Sequence, residues 1–220
     1  LGYGAIPLYC KLKTSISPEK ALLKFKNVSS HCYMLESCED RENHGRYTFL
    51  GYDPKLEITC RGYEVKITDT FGVRRFNGAP QAHIRKILAE YRSPKMNGLP
   101  DFTGGLVGFF GYDYARYAVK GFEPKSKDDS HFKDVDLMLF DKVLAFDNKE
   151  GTVFLIANMK TDKPQENYGA AKKEIEIMLD ILENGEPATL KRPRLKSQPK
   201  PLFDKAQYCE MVERAKHYIK

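Results

Sequence analysis

The chain has 220 residues, 41% of them hydrophobic, with 13 Phe, 13 Tyr and no Trp, which is enough to build a sizeable core in one large domain or a domain with an appendage. A charged fraction of 30% and a formal net charge of +6 describe a mildly basic soluble chain, too weakly charged for a dedicated nucleic-acid binder. No apolar run approaches the roughly 18 residues of a membrane span, and the N-terminus shows no signal-peptide pattern.

In chain order, "AIPLYCKL" (5–12) alternates as a strand does. Ser17 as cap, Pro18 at the first helical position and Glu19 in the first turn predict a helix through 17–25. A hairpin follows at Cys32–Ser37 and Arg46–Gly51, and then three short strands, 55–60, 63–68 and 73–76, parted by Gly62 and by Thr70–Gly72. Five strands with short polar turns predict an antiparallel meander. Residues 80–92 place Ile84, Ile87, Leu88 and Tyr91 on one helical face, and 102–113 precede a short aromatic helix at 114–119. The runs 135–147 and 151–159 read as a strand pair turning at Asn148–Glu150. Residues 165–184 form an amphipathic helix burying Tyr168, Ala171, Ile175, Met178, Leu179 and Leu182, and Gly185 ends it. Four prolines and a basic run make 185–201 a linker, and a further helix carries the apolar stripe Tyr208, Met211, Val212, Ala215, Tyr218 and Ile219.

Most features that suggest chemistry have plainer accounts. The glycines 104, 105, 108 and 111 match neither a dinucleotide fingerprint nor a phosphate-binding loop, and in a strand they allow a neighbouring backbone to pack close. The five cysteines (10, 32, 38, 60, 209) are odd in number and widely spaced, as expected of reduced thiols. A zinc set from His31, Cys32, Cys38 and His44 is disfavoured because adjacent strand residues face opposite ways. The acidic residues Asp128, Asp129, Asp134 and Asp136 lack the Gly and Glu of a calcium loop and read as a turn. No catalytic constellation stands out.

The hairpin is the exception, since Glu36, Ser37 and Arg46 stand at its mouth. Two readings remain open from the residues alone. One is an exposed Glu–Arg pair that stitches the hairpin. The other is a site with an acceptor for an ammonium, a small hydroxyl and a fork for a carboxylate, with apolar surface from Met34, Leu35, Tyr47 and Phe49, as a free α-amino acid requires.

The segments "IPLY", "YMLES", "GRYTFLGYDP", "LEITCRG", "FTGGLVGFFGYD", "VDLMLFDKVLAFD" and "YCEMVERAKHYIK" occur in one order. Along essentially its whole length the chain resembles the N-terminal region of anthranilate synthase component I, in the chorismate-utilising family. The resemblance implies an α+β fold, with antiparallel sheets in a sandwich-like core flanked by helices. It implies a regulatory domain over 1–184, the linker at 185–201, and at 202–220 the first helix of a catalytic domain whose remainder lies beyond this fragment. The whole enzyme would be a cytoplasmic lyase. With Mg²⁺ it would turn chorismate, and ammonia delivered by a glutamine amidotransferase subunit (component II), into anthranilate and pyruvate, the first committed step of tryptophan biosynthesis.

The chorismate and metal residues belong to the later half, so this fragment alone is expected to be inactive. The resemblance places feedback binding of L-tryptophan at Leu35, Glu36, Ser37 and Arg46, completed by a Pro-Tyr-Met segment beyond this chain. Neither nucleic acid nor membrane is an expected partner. The alternatives are the equivalent region of an aminodeoxychorismate synthase and a stand-alone amino-acid-binding module.

Overall fold

A computed structural model describes residues 2–36, 45–119, 121–122, 128–190 and 193–219. The chain forms two compact units, Leu1–Ala188 and Thr189–Lys220. The first holds ten strands among its described residues, in two five-stranded antiparallel sheets. The fold is α+β, as expected.

In the first sheet, β1 (Ala5–Lys13) lies at one edge and β2 (Cys32–Leu35) at the other, in the order β1-β10-β9-β3-β2. Its inner strands are β3 (Tyr47–Tyr52), β9 (Lys142–Asp147) and β10 (Thr152–Lys160). The second sheet runs β6-β5-β4-β8-β7, from β4 (Leu56–Arg61), β5 (Glu64–Asp69), β6 (Gly72–Asn77), β7 (Gly105–Phe110) and β8 (Val135–Phe140).

Each sheet buries its main core against its own helices. Helix α1 (Pro18–Val28) begins as expected, with the Ser17 hydroxyl accepting from the Lys20 N–H at 3.4 Å. Its Ala21 and Phe25 join Leu50, Leu144, Leu155 and, from α3 (Pro164–Asn184), Met178 and Leu182 in one cluster. Tyr168, expected on that buried face, is exposed instead, because it lies in the second turn of α3, ahead of the buried stretch that begins at Ala171. Gly185 does follow α3, but with φ −62 rather than a left-handed turn. A side chain there would meet the Ile181 carbonyl oxygen at 2.5 Å, so the glycine allows a close approach. The second sheet packs Ile58, Val65, Val135 and Leu137 against Ile84 and Ile87 of α2 (Gln81–Glu90).

Two expectations need correction. The five-strand meander divides after Tyr52: β2 and β3 stay in the first sheet, while β4 to β6 form a meander in the second. Residues 135–147 are likewise two strands in different sheets, broken at Asp141, so only Lys142–Asp147 pairs with β10. The chain therefore passes between the sheets twice, at Asp53–Lys55 and at Asp141. The two passages hold each other: Lys142 Nζ lies 2.5 Å from Asp53 Oδ2, and Lys55 Nζ lies 3.7 Å from Asp141 Oδ2.

The glycine run behaves as the sequence suggests. Gly108 in β7 has φ 153, and a Cβ there would collide with the Asp136 carbonyl of β8. After β7 the chain makes a 3-10 helix at Tyr112–Tyr117, two residues earlier than the aromatic helix expected there. In the second unit, α4 (Lys205–Ile219) carries the anticipated stripe, with Tyr208, Met211, Val212, Tyr218 and Ile219 exposed.

Candidate functional site

The hairpin lies at the edge of the first sheet, where β2 pairs with β3 and β3 with β9. Cys32 packs on the α1/α3 side, so the alternation along β2 sends Leu35 to the opposite side. There it sits across from Phe49 and is 48% exposed. That side also carries Tyr47, Phe49, Ala145, Phe154 and Ile156, with Leu99 packed against them. The rings form two groups: Tyr47 to Phe49 at 6.0 Å and Phe49 to Phe102 at 5.5 Å beside the hairpin, and Tyr9 to Phe154 at 6.2 Å between centroids towards the β1 edge. Beside the exposed Leu35, the half-buried rings of Tyr47, Phe49 and Phe102 form an aromatic surface.

Its charged rim is built by the β9–β10 turn. Asn148 donates from its backbone N–H to the Arg46 carbonyl at 2.8 Å. Its side-chain amide donates to the Gly45 carbonyl at 3.2 Å and to the Thr48 hydroxyl at 3.1 Å. The backbone of residues 45–48 is thereby fixed. The Arg46 guanidinium lies 5.1 Å from the Tyr47 ring centroid.

Its ionic partners are Asp147, whose Oδ2 accepts from Nε at 3.0 Å and Nη2 at 2.6 Å, and Glu150, whose Oε1 accepts from Nη2 at 3.1 Å. The Asp147 side chain is fully buried, and its other oxygen accepts the backbone N–H groups of Lys149 and Glu150 at 3.1 Å each. Burial opposes ionisation of Asp147, but the hydrogen bonds from Arg46 and these backbone groups outweigh it and hold the carboxyl below its ordinary value. Glu150 also accepts from Lys11 Nζ at 2.6 Å.

Of the residues singled out in the sequence, Leu35 and Arg46 flank the aromatic side and Glu36 is exposed at the end of β2. Ser37 lies outside the described residues, as do Cys38 and His44. The Glu36–Arg46 pair that would stitch the hairpin is not what holds Arg46; its carboxylates come from the β9–β10 turn. Asp147, Glu150 and Lys11 were missed because β9, β10 and β1 reach the hairpin through long-range pairing. The one local signal was the polar turn itself. Among the described residues no three His, Cys, Asp or Glu side chains gather as a metal ion requires. None of their helices is long and apolar enough to cross a membrane.

Residues 30–220 match the family described as chorismate binding enzyme, and the chain belongs to it. Its relatives include anthranilate synthase component 1 of Acinetobacter calcoaceticus, 30% identical over 231 residues, covering 100% of this chain and 45% of that protein. The protein of that name from Pseudomonas aeruginosa is 32% identical, over 99% of this chain and 46% of its own. The crystal structure of anthranilate synthase component I from Streptococcus pneumoniae TIGR4 shares the fold with a TM-score of 0.54 and 24% identity, covering 91% of this chain and 42% of that one. The chain spans less than half the length of these relatives.

Proposed function

We propose that these residues form the N-terminal, regulatory region of an anthranilate synthase component I, with the tryptophan feedback site at Leu35, Glu36, Ser37 and Arg46. The observation that carries the assignment is the match to proteins named anthranilate synthase component 1 along 99–100% of this chain. In this reading 1–184 is the regulatory domain, 185–201 the linker and 202–220 the entry to the catalytic domain. Chorismate turnover, Mg²⁺ and the glutamine amidotransferase partner belong to the full-length, cytoplasmic protein.

The site chemistry is consistent with that role. The half-buried rings of Tyr47 and Phe49 suit an indole, and a guanidinium at their rim suits a carboxylate. Glu36 would accept from the ammonium, and the Ser37 hydroxyl would complete the polar set.

The test is anthranilate production against tryptophan concentration in the full-length protein. A hydrogen bond to a charged group contributes about 1.5–3 kcal/mol, so Arg46→Ala should weaken inhibition roughly ten- to a hundredfold while sparing uninhibited turnover. Arg46→Lys should recover part of the loss, because a point charge lacks the two-pronged grip. Absence of anthranilate production would overturn the enzyme assignment. An inhibition curve that both variants leave unchanged would overturn the role of Arg46.

A further inference from the structure

The geometry of the rim raises a question that the site assignment does not answer. Arg46 is already engaged by two carboxylates, and a third would have to find room. Asp147 grips the side-on edge of the guanidinium, through Nε and Nη2. Nη2 has two protons. The one beside Nε is committed to Asp147, so the one facing Nη1 is the proton that Glu150 accepts at 3.1 Å. A ligand carboxylate binding end-on needs that same proton together with one from Nη1.

We propose that Glu150 is a built-in competitor for the ligand carboxylate at Arg46, that Lys11 takes Glu150 up when the ligand binds, and that Asp147 is a positioning residue. This rests on the reading of Arg46 as the carboxylate anchor. The two acidic partners are not equivalent. Asp147 is fully buried and fixed by four hydrogen bonds, so it stays and keeps the guanidinium aimed. Glu150 is 46% exposed and bridges two cations, with the shorter contact to Lys11 at 2.6 Å. Releasing Arg46 leaves Glu150 paired with Lys11, so the exchange strands no charge. The lysine is itself steadied, its Nζ lying 5.0 Å from the Phe154 ring centroid.

The test is calorimetric titration of the full-length protein with L-tryptophan and with tryptamine, which has the same ring and amine but no carboxylate. Glu150→Gln should tighten tryptophan about two- to fivefold, as fits an exposed ion pair, and leave tryptamine unchanged. Lys11→Met, by leaving Glu150 wholly on Arg46, should weaken tryptophan, and adding Glu150→Gln should cancel that loss. Asp147→Asn should weaken tryptophan but not tryptamine, which separates aiming of the guanidinium from a general loss of structure.

If Arg46→Ala weakens tryptophan while Glu150→Gln leaves it unchanged or weaker, the competitor is refuted and the anchor stands. If Arg46→Ala changes neither ligand, the anchor fails and the competitor with it.

Discussion

Asp134 is 3% exposed at the base of a network that joins the second sheet to the 3-10 helix. Its Oδ2 accepts from the Tyr117 hydroxyl at 2.6 Å and from the Gly62 N–H at 2.7 Å, and Arg116 Nη2 lies 3.5 Å from Oδ1. Hydrogen bonds to a charged acceptor contribute about 1.5–3 kcal/mol each. In Asp134→Ala the Gly62 N–H loses its acceptor, whereas the Tyr117 hydroxyl can turn its one proton to the Gly62 carbonyl at 3.2 Å, which trims the sum. The expected cost is about 3–4 kcal/mol, or roughly 10 °C in Tm for a unit of this size.

Tyr117→Phe removes one arm only and should cost about 1–2 kcal/mol. Urea unfolding of wild type, both single variants and the double variant would measure these values and their coupling, which the shared hydrogen bond makes non-zero. A loss below about 1 kcal/mol for Asp134→Ala, or full additivity, would refute the view that a buried carboxylate holds this corner together.

Gly108→Ala drives a methyl group into the Asp136 carbonyl at a φ of 153, and thermal melts should show a loss of about 2–4 kcal/mol. Gly151→Ala, at φ 63 but in open space, should cost only about 1 kcal/mol. Because the Asp147 carboxyl titrates below its ordinary value, its stabilising contribution is present above the unfolded-state value, near 4, and declines as pH falls through the lowered native value. Asp147→Asn should therefore be less stable at neutral pH, with a flatter acid limb in unfolding measured from about pH 5 to 2.

Much of the fold was legible wherever the signal was local. Ser17-Pro18-Glu19 marks the start of α1 with capping chemistry, and the spacing of Ala171, Met178 and Leu182 marks the buried face of α3. What failed was the assignment of strands to sheets. The run from Val135 to Asp147 is strongly apolar and holds no glycine or proline, so nothing but the polar pair Asp141–Lys142 shows that the strand changes sheet. At the other passage Pro54 interrupts the pattern but does not say where the next strand goes. The site was legible to the same depth. Arg46 stands out beside Leu35 and Glu36, but its carboxylate partners sit on a turn brought there by the register of β3 on β9, which a local pattern cannot express.

The order of strands in the first sheet bears on how the chain must be made. Within the chain, Ala5–Lys13 is made long before its partner Thr152–Lys160, and the hairpin of β2 and β3 joins the sheet through Lys142–Asp147. At about 5–20 residues per second, β1 waits on the order of ten seconds for its neighbour to be synthesised. Meanwhile β4, β5 and β6 can already pair with one another. A nascent chain stalled before β9 would expose the apolar sides of β1 and β3 with no sheet to enter. In such a chain aggregation competes with completion, and a holding chaperone would have its work at this stage rather than at the end.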